Sequence, residues 1–145
     1  MIRRLRSADR GELVRMRQAL WPDSSESEVD GLLQGRPPDA AVWVADRGSG
    51  ELCGFAEVGT RRYAEGCDSS PVAYLEGIWV DSEVRRTGVA LALVRHAEEW
   101  ARSSGLTEFG SDCDIANEVS QAFHAAAGFV EVKRLACFRR PLAPE

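Results

Sequence analysis

The chain is poor in the features that staple, anchor or metallate a protein. Its 4 cysteines in 145 residues, Cys53, Cys67, Cys113 and Cys137, lie far apart without a C-x-x-C spacing. Neither a disulfide framework nor a metal site is expected, and a domain of this length needs neither. No segment approaches the run of about 20 apolar residues that spans a bilayer. The basic start Met1-Ile2-Arg3-Arg4-Leu5-Arg6 is followed by no apolar stretch of leader length. A cytoplasmic protein with no membrane partner is expected. Basic residues are outnumbered too, 18 Lys and Arg against 23 Asp and Glu, for a net charge of −5. Tracking the phosphates of a nucleic acid needs a basic face, so no nucleic-acid partner is expected. A cationic small molecule is easier to accommodate, although an ordinary solvated surface accounts for the same charge equally well. No repeat or low-complexity linker interrupts the chain, which reads as one domain over residues 1–145 around a single core.

What is there alternates between the two hydrophobic periods. Ile2 to Leu5 suits a short strand, after which Ser7 can cap a helix carrying Leu13, Met16, Leu20 and Trp21 until Pro22 stops it. A second helix starts in the run Asp23 to Glu28, carries Val29, Leu32 and Leu33, and ends near Gly35. Ala41 to Ala45 and Leu52 to Val58 read as strands joined by a glycine-rich hairpin. Val72 to Val80, dense in β-branched and aromatic residues, reads as the strand at the centre of the sheet. A helix over Gly88 to Ser103 ends at Gly105, and a strand at Glu108 to Ser111, a helix at Asn117 to Ala127 and a last strand at Phe129 to Arg139 follow. The order predicts an α/β fold with a mixed, mostly antiparallel central sheet flanked by helices.

Chemistry concentrates where the Val72 to Val80 strand passes through a short loop into the long helix. There the chain reads Arg85-Arg86-Thr87-Gly88-Val89-Ala90. Unpaired N–H groups at a helix start carry partial positive charge, Gly88 lets the backbone approach a pyrophosphate, and Arg85 and Arg86 add full charges. A Gly with an Arg before a helix is by itself more often a plain turn. No Gly-Lys-Ser/Thr follows, which removes the nucleotide-triphosphatase loop as an explanation.

The pattern Val80-x-x-x-x-Arg85-x-x-Gly88-x-Ala90, after a strand and opening a helix, resembles the acetyl-CoA motif of the GNAT superfamily of N-acetyltransferases, whose fold the flanking elements match across nearly the whole chain. The resemblance implies a pantetheine arm lying as an added strand along Ile78, Trp79 and Val80. It also implies phosphates on Arg85, Arg86, Thr87, Gly88, Val89 and Ala90, and cofactor contacts from Asn117 and His124. Acetyl-CoA is the implied co-substrate, with no metal. The segments Leu20-Trp21-Pro22, Gly66 to Pro71, Leu75-Glu76-Gly77-Ile78 and Ser111-Asp112 are similar to the aminoglycoside 6′-N-acetyltransferases of that superfamily. In that subgroup the positions of Trp21, Tyr63, Glu76 and Asp112 hold the aminosugar. A further acidic contact falls on Lys133 here, so Glu131 is the substitute, or the acceptor differs.

The residues themselves leave several roles open. Glu76 is counted in strand phase with Tyr74, Ile78 and Val80, so its carboxylate either lines a cleft or lies on a solvated face. In a cleft it could take the proton of an ammonium, freeing the amine to attack the thioester. Asp112, at the carboxyl end of a strand, could pair with a second ammonium or serve as a turn cap. Trp21 is an aromatic wall or a packed helix end, and Tyr63 adds a ring and a hydroxyl. His124 stands where many GNAT enzymes place the tyrosine that protonates the departing thiolate. It is either a weak acid or a histidine that only touches cofactor or solvent. Cys113 has no histidine near it in sequence to help form a thiolate, so direct transfer in a ternary complex is expected over an acetyl-cysteine route. A main-chain N–H near Trp79 or Val80, where the family's strand bends away from its neighbour, is the expected oxyanion donor. Acetylation of another amine, or cofactor sensing without turnover, are the alternatives. The apolar run in Val130 to Arg139 could supply a homodimer edge.

Overall fold

The computed structural model describes residues 1–144. Its contacts divide into two compact units, Met1–Asp112 and a second from Cys113 onward. The first unit holds β1 (Ile2–Arg4), a 3-10 turn (Ser7–Asp9), α1 (Arg10–Leu20), α2 (Glu26–Leu33), β2 (Ala41–Asp46), β3 (Leu52–Arg61), β4 (Val72–Val80), a second 3-10 turn (Ser82–Val84), α3 (Val89–Ser103) and β5 (Phe109–Gly110). The sheet runs β1-β2-β3-β4-β5, antiparallel throughout except for the parallel pair β4 and β5. A parallel pair needs a crossover, and α3 supplies it. The mixed, mostly antiparallel sheet expected from the sequence is therefore present. Its middle strand is β3 rather than β4, because β4 leads into the crossover and so has only the two-residue β5 beyond it.

Strand alternation divides the core between the two faces. Val42, Val44 and Phe55 pack with Leu13, Met16 and Val29 of α1 and α2. Ala41 and Val58 pack with Ala97 of α3 and the rings of Trp43, Trp100 and Phe109. Both helix sets bury a single stripe, the expected outcome of a 3.6-residue period laid on a 2-residue one. Ser25 caps α2 by accepting the Glu28 N–H, and Gly105, at φ 80°, ends α3.

Ser7 does not cap α1. It lies in the 3-10 turn, and Asp9 organises this corner: its carboxylate accepts the Arg6 N–H at 2.8 Å and two nitrogens of Arg3 at 2.8 and 2.9 Å. The Arg3 side chain is only 10% exposed and needs a countercharge, which a hydroxyl cannot supply.

In the second unit Asn117 caps α4 (Glu118–Ala126) by accepting the Ser120 N–H at 3.0 Å. The strand expected at Phe129 to Arg139 does not form; residues 129–144 contain no helix or strand. Val130, Val132, Leu135 and Phe138 are exposed. Apolar alternation makes a strand only where a neighbouring edge completes the ladder.

The Asp9 carboxyl is held below its ordinary value, first by the Arg3 hydrogen bond. A depressed carboxylate contributes stability that is present above its unfolded pKa of about 4 and lost as pH falls through the folded value. Asp9→Ala should cost about 3–5 kcal/mol at neutral pH in urea denaturation. That deficit should shrink on acidification below pH of about 4.

Candidate active site

β4 carries one residue more than the strand opposite it. Leu75 pairs with Val58 and Gly77 with Glu57, so Glu76 is a bulge with no partner. A bulge re-aims its side chain, and here the exposed Glu76 follows the four buried residues Val72 to Leu75. The extra residue takes Glu76 out of phase with Ile78 and Val80, whereas Tyr74 stays on its side of the sheet, where Arg61 touches both. Against β3 the interruption falls at Glu76, and on the other side the pairing with β5 ends at Tyr74, before Trp79 and Val80.

Glu76 opens on a cleft of about 570 Å³. Its lining includes the carboxylates Asp23, Glu28, Asp39, Glu57 and Glu76, with Arg17 as the one cation and Trp21 as the aromatic wall. Such a lining suits a polar, positively charged ligand. Glu57 is mostly buried, and that burial pushes its carboxyl up while Arg17 opposes the shift. Arg17 donates to Glu57 at 2.7 Å and to Glu28 and Ser24 at 2.8 Å each. Its guanidinium also lies 4.9 Å from the centre of the Trp21 ring. The indole packs edge-on against Phe55 and over Gly77, where an added Cβ would stand 2.3 Å from two ring carbons. Trp21 is thus packed and also lines the cleft.

A second constellation adjoins Glu76. Arg61, the last residue of β3, forks onto it with Nε at 2.9 Å and Nη2 at 2.6 Å from its two oxygens. The Arg61 guanidinium carbon lies 3.6 Å from the centre of the Tyr74 ring. The Tyr74 hydroxyl donates to Asp112, and burial first, then that carboxylate, pushes the phenol far above its ordinary value. Tyr63 is 67% exposed and does not line the cleft.

The loop after β4 is held in an uncommon conformation. Arg86 has φ 63° although it is not glycine, and Gly88, at φ 88°, precedes α3 with no side-chain cap. Left-handed backbone at a non-glycine residue persists where the surroundings enforce it. Thr87 Oγ1 donates to the Val84 carbonyl, and Arg85 donates from Nε to the Val80 carbonyl at 3.1 Å while lying over Trp79. The first helical bond is Ala92 N–H to Gly88 carbonyl, so the N–H groups of Val89, Ala90 and Leu91 precede it. β4 pairs with β5 only at Ala73 and Tyr74. Its edge at Ile78, Trp79 and Val80 therefore has no strand partner on that side among the described residues.

The remaining candidates lie in the second unit. His124 Nδ1 faces the Ser120 carbonyl at 2.7 Å, and the ring is flanked edge-on by Phe123 and Phe129. A carbonyl can only accept, so Nδ1 carries the proton there. Glu131 pairs with Arg134 at 2.8 Å. Among the described residues no group of three or more His, Cys, Asp and Glu is placed to hold a metal ion, and no helix is long and apolar enough to cross a membrane.

Residues 7–129 match the model of the acetyltransferase (GNAT) family. The chain belongs to the GNAT acetyltransferase family. An aminoglycoside N(6′)-acetyltransferase type 1 of Klebsiella aerogenes is 45% identical over 98% of the chain and 97% of its own length. One of Stenotrophomonas maltophilia is 36% identical over 99% and 94%. The structure of AAC(6′)-Iy in complex with the bisubstrate analog CoA-S-monomethyl-acetylneamine superposes with a TM-score of 0.89 at 33% identity, covering 98% of each chain. This chain joins a loop of helix-start N–H groups to an open strand edge. Sequence reasoning passed over Arg17, Glu57, Arg61 and Tyr74. The readable signal was Glu57, a carboxylate inside an otherwise apolar strand; Arg61 and Tyr74 depend on the register of β3 against β4.

Because the Trp21 indole occupies the space beside Gly77, Gly77→Ala should expel it at a cost of about 1–3 kcal/mol. Altered tryptophan fluorescence together with a lowered urea midpoint would register the change.

Proposed function

We infer that this chain transfers the acetyl group of acetyl-CoA to the 6′-amino group of an aminoglycoside, by direct attack in a ternary complex. The observation that carries the reading is Glu76, turned by its bulge into an acidic, tryptophan-walled cleft on the strand whose edge stands open. The full-length likeness to aminoglycoside N(6′)-acetyltransferases supports the same substrate.

The loop fits the co-substrate. Arg85, Arg86, Thr87, Gly88, Val89 and Ala90 receive the phosphates through main-chain N–H groups and the arginine charges. Ile78, Trp79 and Val80 offer main-chain groups to the amides of the pantetheine arm. Asn117 and His124 complete the cofactor contacts. Trp21, Asp112 and Glu131 hold the aminosugar, the two carboxylates through its other ammonium groups, and Tyr63, outside the cleft lining, meets only a part of it that projects from the cleft.

In the reaction Glu76 accepts a proton from the 6′-ammonium, directly or through one water, and the freed lone pair attacks the thioester carbon. An N–H near Trp79 or Val80 steadies the oxyanion. The C–S bond then breaks, and the CoA thiolate takes a proton from His124 as imidazolium or from solvent. Because a thiol of pKa about 8.5 is already a good leaving group, a histidine in place of a tyrosine is sufficient. The amide product has lost one charge and one donor of the drug, which is the basis of resistance.

A cytoplasmic homodimer is the state we assign. The exposed Val130, Val132, Leu135 and Phe138 give the apolar alternation that a second copy's edge would cover. Lys133, in place of an acidic contact, favours a second reading in which the acceptor is another amine.

Free-thiol release from acetyl-CoA with a 6′-amino aminoglycoside, and none with its 6′-hydroxyl counterpart, is the expected result; turnover of neither alongside cofactor binding would move the assignment to another acceptor. Glu76→Gln should lower kcat by about 10²–10⁴-fold while leaving acetyl-CoA affinity unchanged in calorimetry. Gly88→Val places a β-branched residue at a positive φ, and should raise the KM for acetyl-CoA far more than that for the acceptor.

A further inference from the structure

Two arginines touch the carboxylates of this site, and they are held in different ways. The Arg17 side chain is 9% exposed and tied to Glu57, Glu28 and Ser24, so it belongs to the frame. Arg61 is 44% exposed and its partner Glu76 is 33% exposed. Its guanidinium hydrogen bonds both go to Glu76, and its remaining hold is the Tyr74 ring. Exposed pairs of this kind add little net stability, since solvent competes for both charges.

The position of Arg61 matters more than its strength. Its fork takes both oxygens of Glu76, the carboxylate that a substrate ammonium must reach. It lies on the ring of Tyr74, whose hydroxyl is bound to Asp112. One guanidinium therefore links Glu76 to the Tyr74–Asp112 pair, two of the carboxylates assigned to the acceptor.

We propose that Arg61 is an exchangeable counter-cation that fills the ammonium subsite on Glu76 in the free protein and is displaced into solvent by the acceptor's ammonium. This rests on the role given to Glu76 above. Binding is then an ion exchange: one positive charge leaves Glu76 as another arrives, so the subsite's net charge hardly changes. Arg61 is a specificity-determining residue because it sets a threshold that every acceptor must overcome, and because it shields Glu76 from casual cations. It is not a catalytic residue, since it has left Glu76 before the proton moves.

The test is calorimetric binding of a 6′-amino aminoglycoside to the full chain, with steady-state kinetics beside it, for wild type, Arg61→Met and Arg61→Lys. Methionine keeps the stem over Tyr74 and removes the charge. Lysine keeps the charge. Arg61→Met should bind the acceptor about two- to five-fold more tightly, with acetyl-CoA affinity unchanged. Its acceptor affinity should also fall more steeply with added salt than that of wild type, because a charge is gained without one being released. Arg61→Lys should stay near wild type in both. Weaker acceptor binding by Arg61→Met, or wild-type affinity with a wild-type salt slope, would overturn the proposal. So would a fall in kcat at unchanged acceptor affinity, which would place Arg61 in the chemistry. Failure of wild type to turn over the acceptor would count against the acyl-transfer reading alone, since the binding comparison is read without turnover.

Discussion

Between Glu57 and Val58 on one side and Leu75 and Gly77 on the other, the sheet must fit one residue too many, and the site depends on that mismatch. Without the extra residue β4 would continue its alternation, and Gly77, directly after Glu76, would turn away from the face that carries Trp21. With it, Glu76 projects outward between two aromatic supports, the Trp21 indole resting over Gly77 and the Tyr74 ring beneath Arg61. The same strand then leaves β5 behind after Tyr74. Its later residues thus have no strand partner on one side, at the end that leads into the helix-start loop.

The electrostatics of the cleft follow from where solvent can reach. Five carboxylates line it, and a deep cluster of that kind would repel itself without cations. Arg17 answers the buried share of that charge through Glu57, at 2.7 Å. It simultaneously holds α1 against β3 and lies over the Trp21 ring, so one side chain serves the packing, the charge balance and the wall of the cleft. The outer share is answered by a side chain that solvent reaches. A polycation therefore meets a cleft that is already neutralised inside and still acidic at its mouth.

Much of this was legible in the letters. Strong periodicities located α1, α3 and the strands β2 to β4, and glycines marked the ends of α2 and α3. The passage from strand into helix at residues 85–90 was readable because a glycine stands where the backbone takes a positive φ just before the helix starts. Other features are relations between strands, which no single stretch encodes. The bulge at Glu76 exists only against β3, and the Arg61–Glu76 fork joins residues fifteen positions apart through that register. At the corner of α1, Ser7 reads as a cap until Arg3 is seen to need a carboxylate, which selects Asp9 instead. The unformed strand at Phe129 to Arg139 has a similar cause: its residue types suit a ladder, but the partner edge is not written in the segment itself.

The seating of the Trp21 ring on a residue without a side chain links two positions 56 apart in sequence, since Trp21 and Gly77 share one space. Any relative that gains a side chain at position 77 must give up the indole at 21 or move the strand that carries it. When sequences of this family are sorted by the ligands they accept, these two letters should therefore be read as one character, and a mismatch between them marks a cleft of different shape.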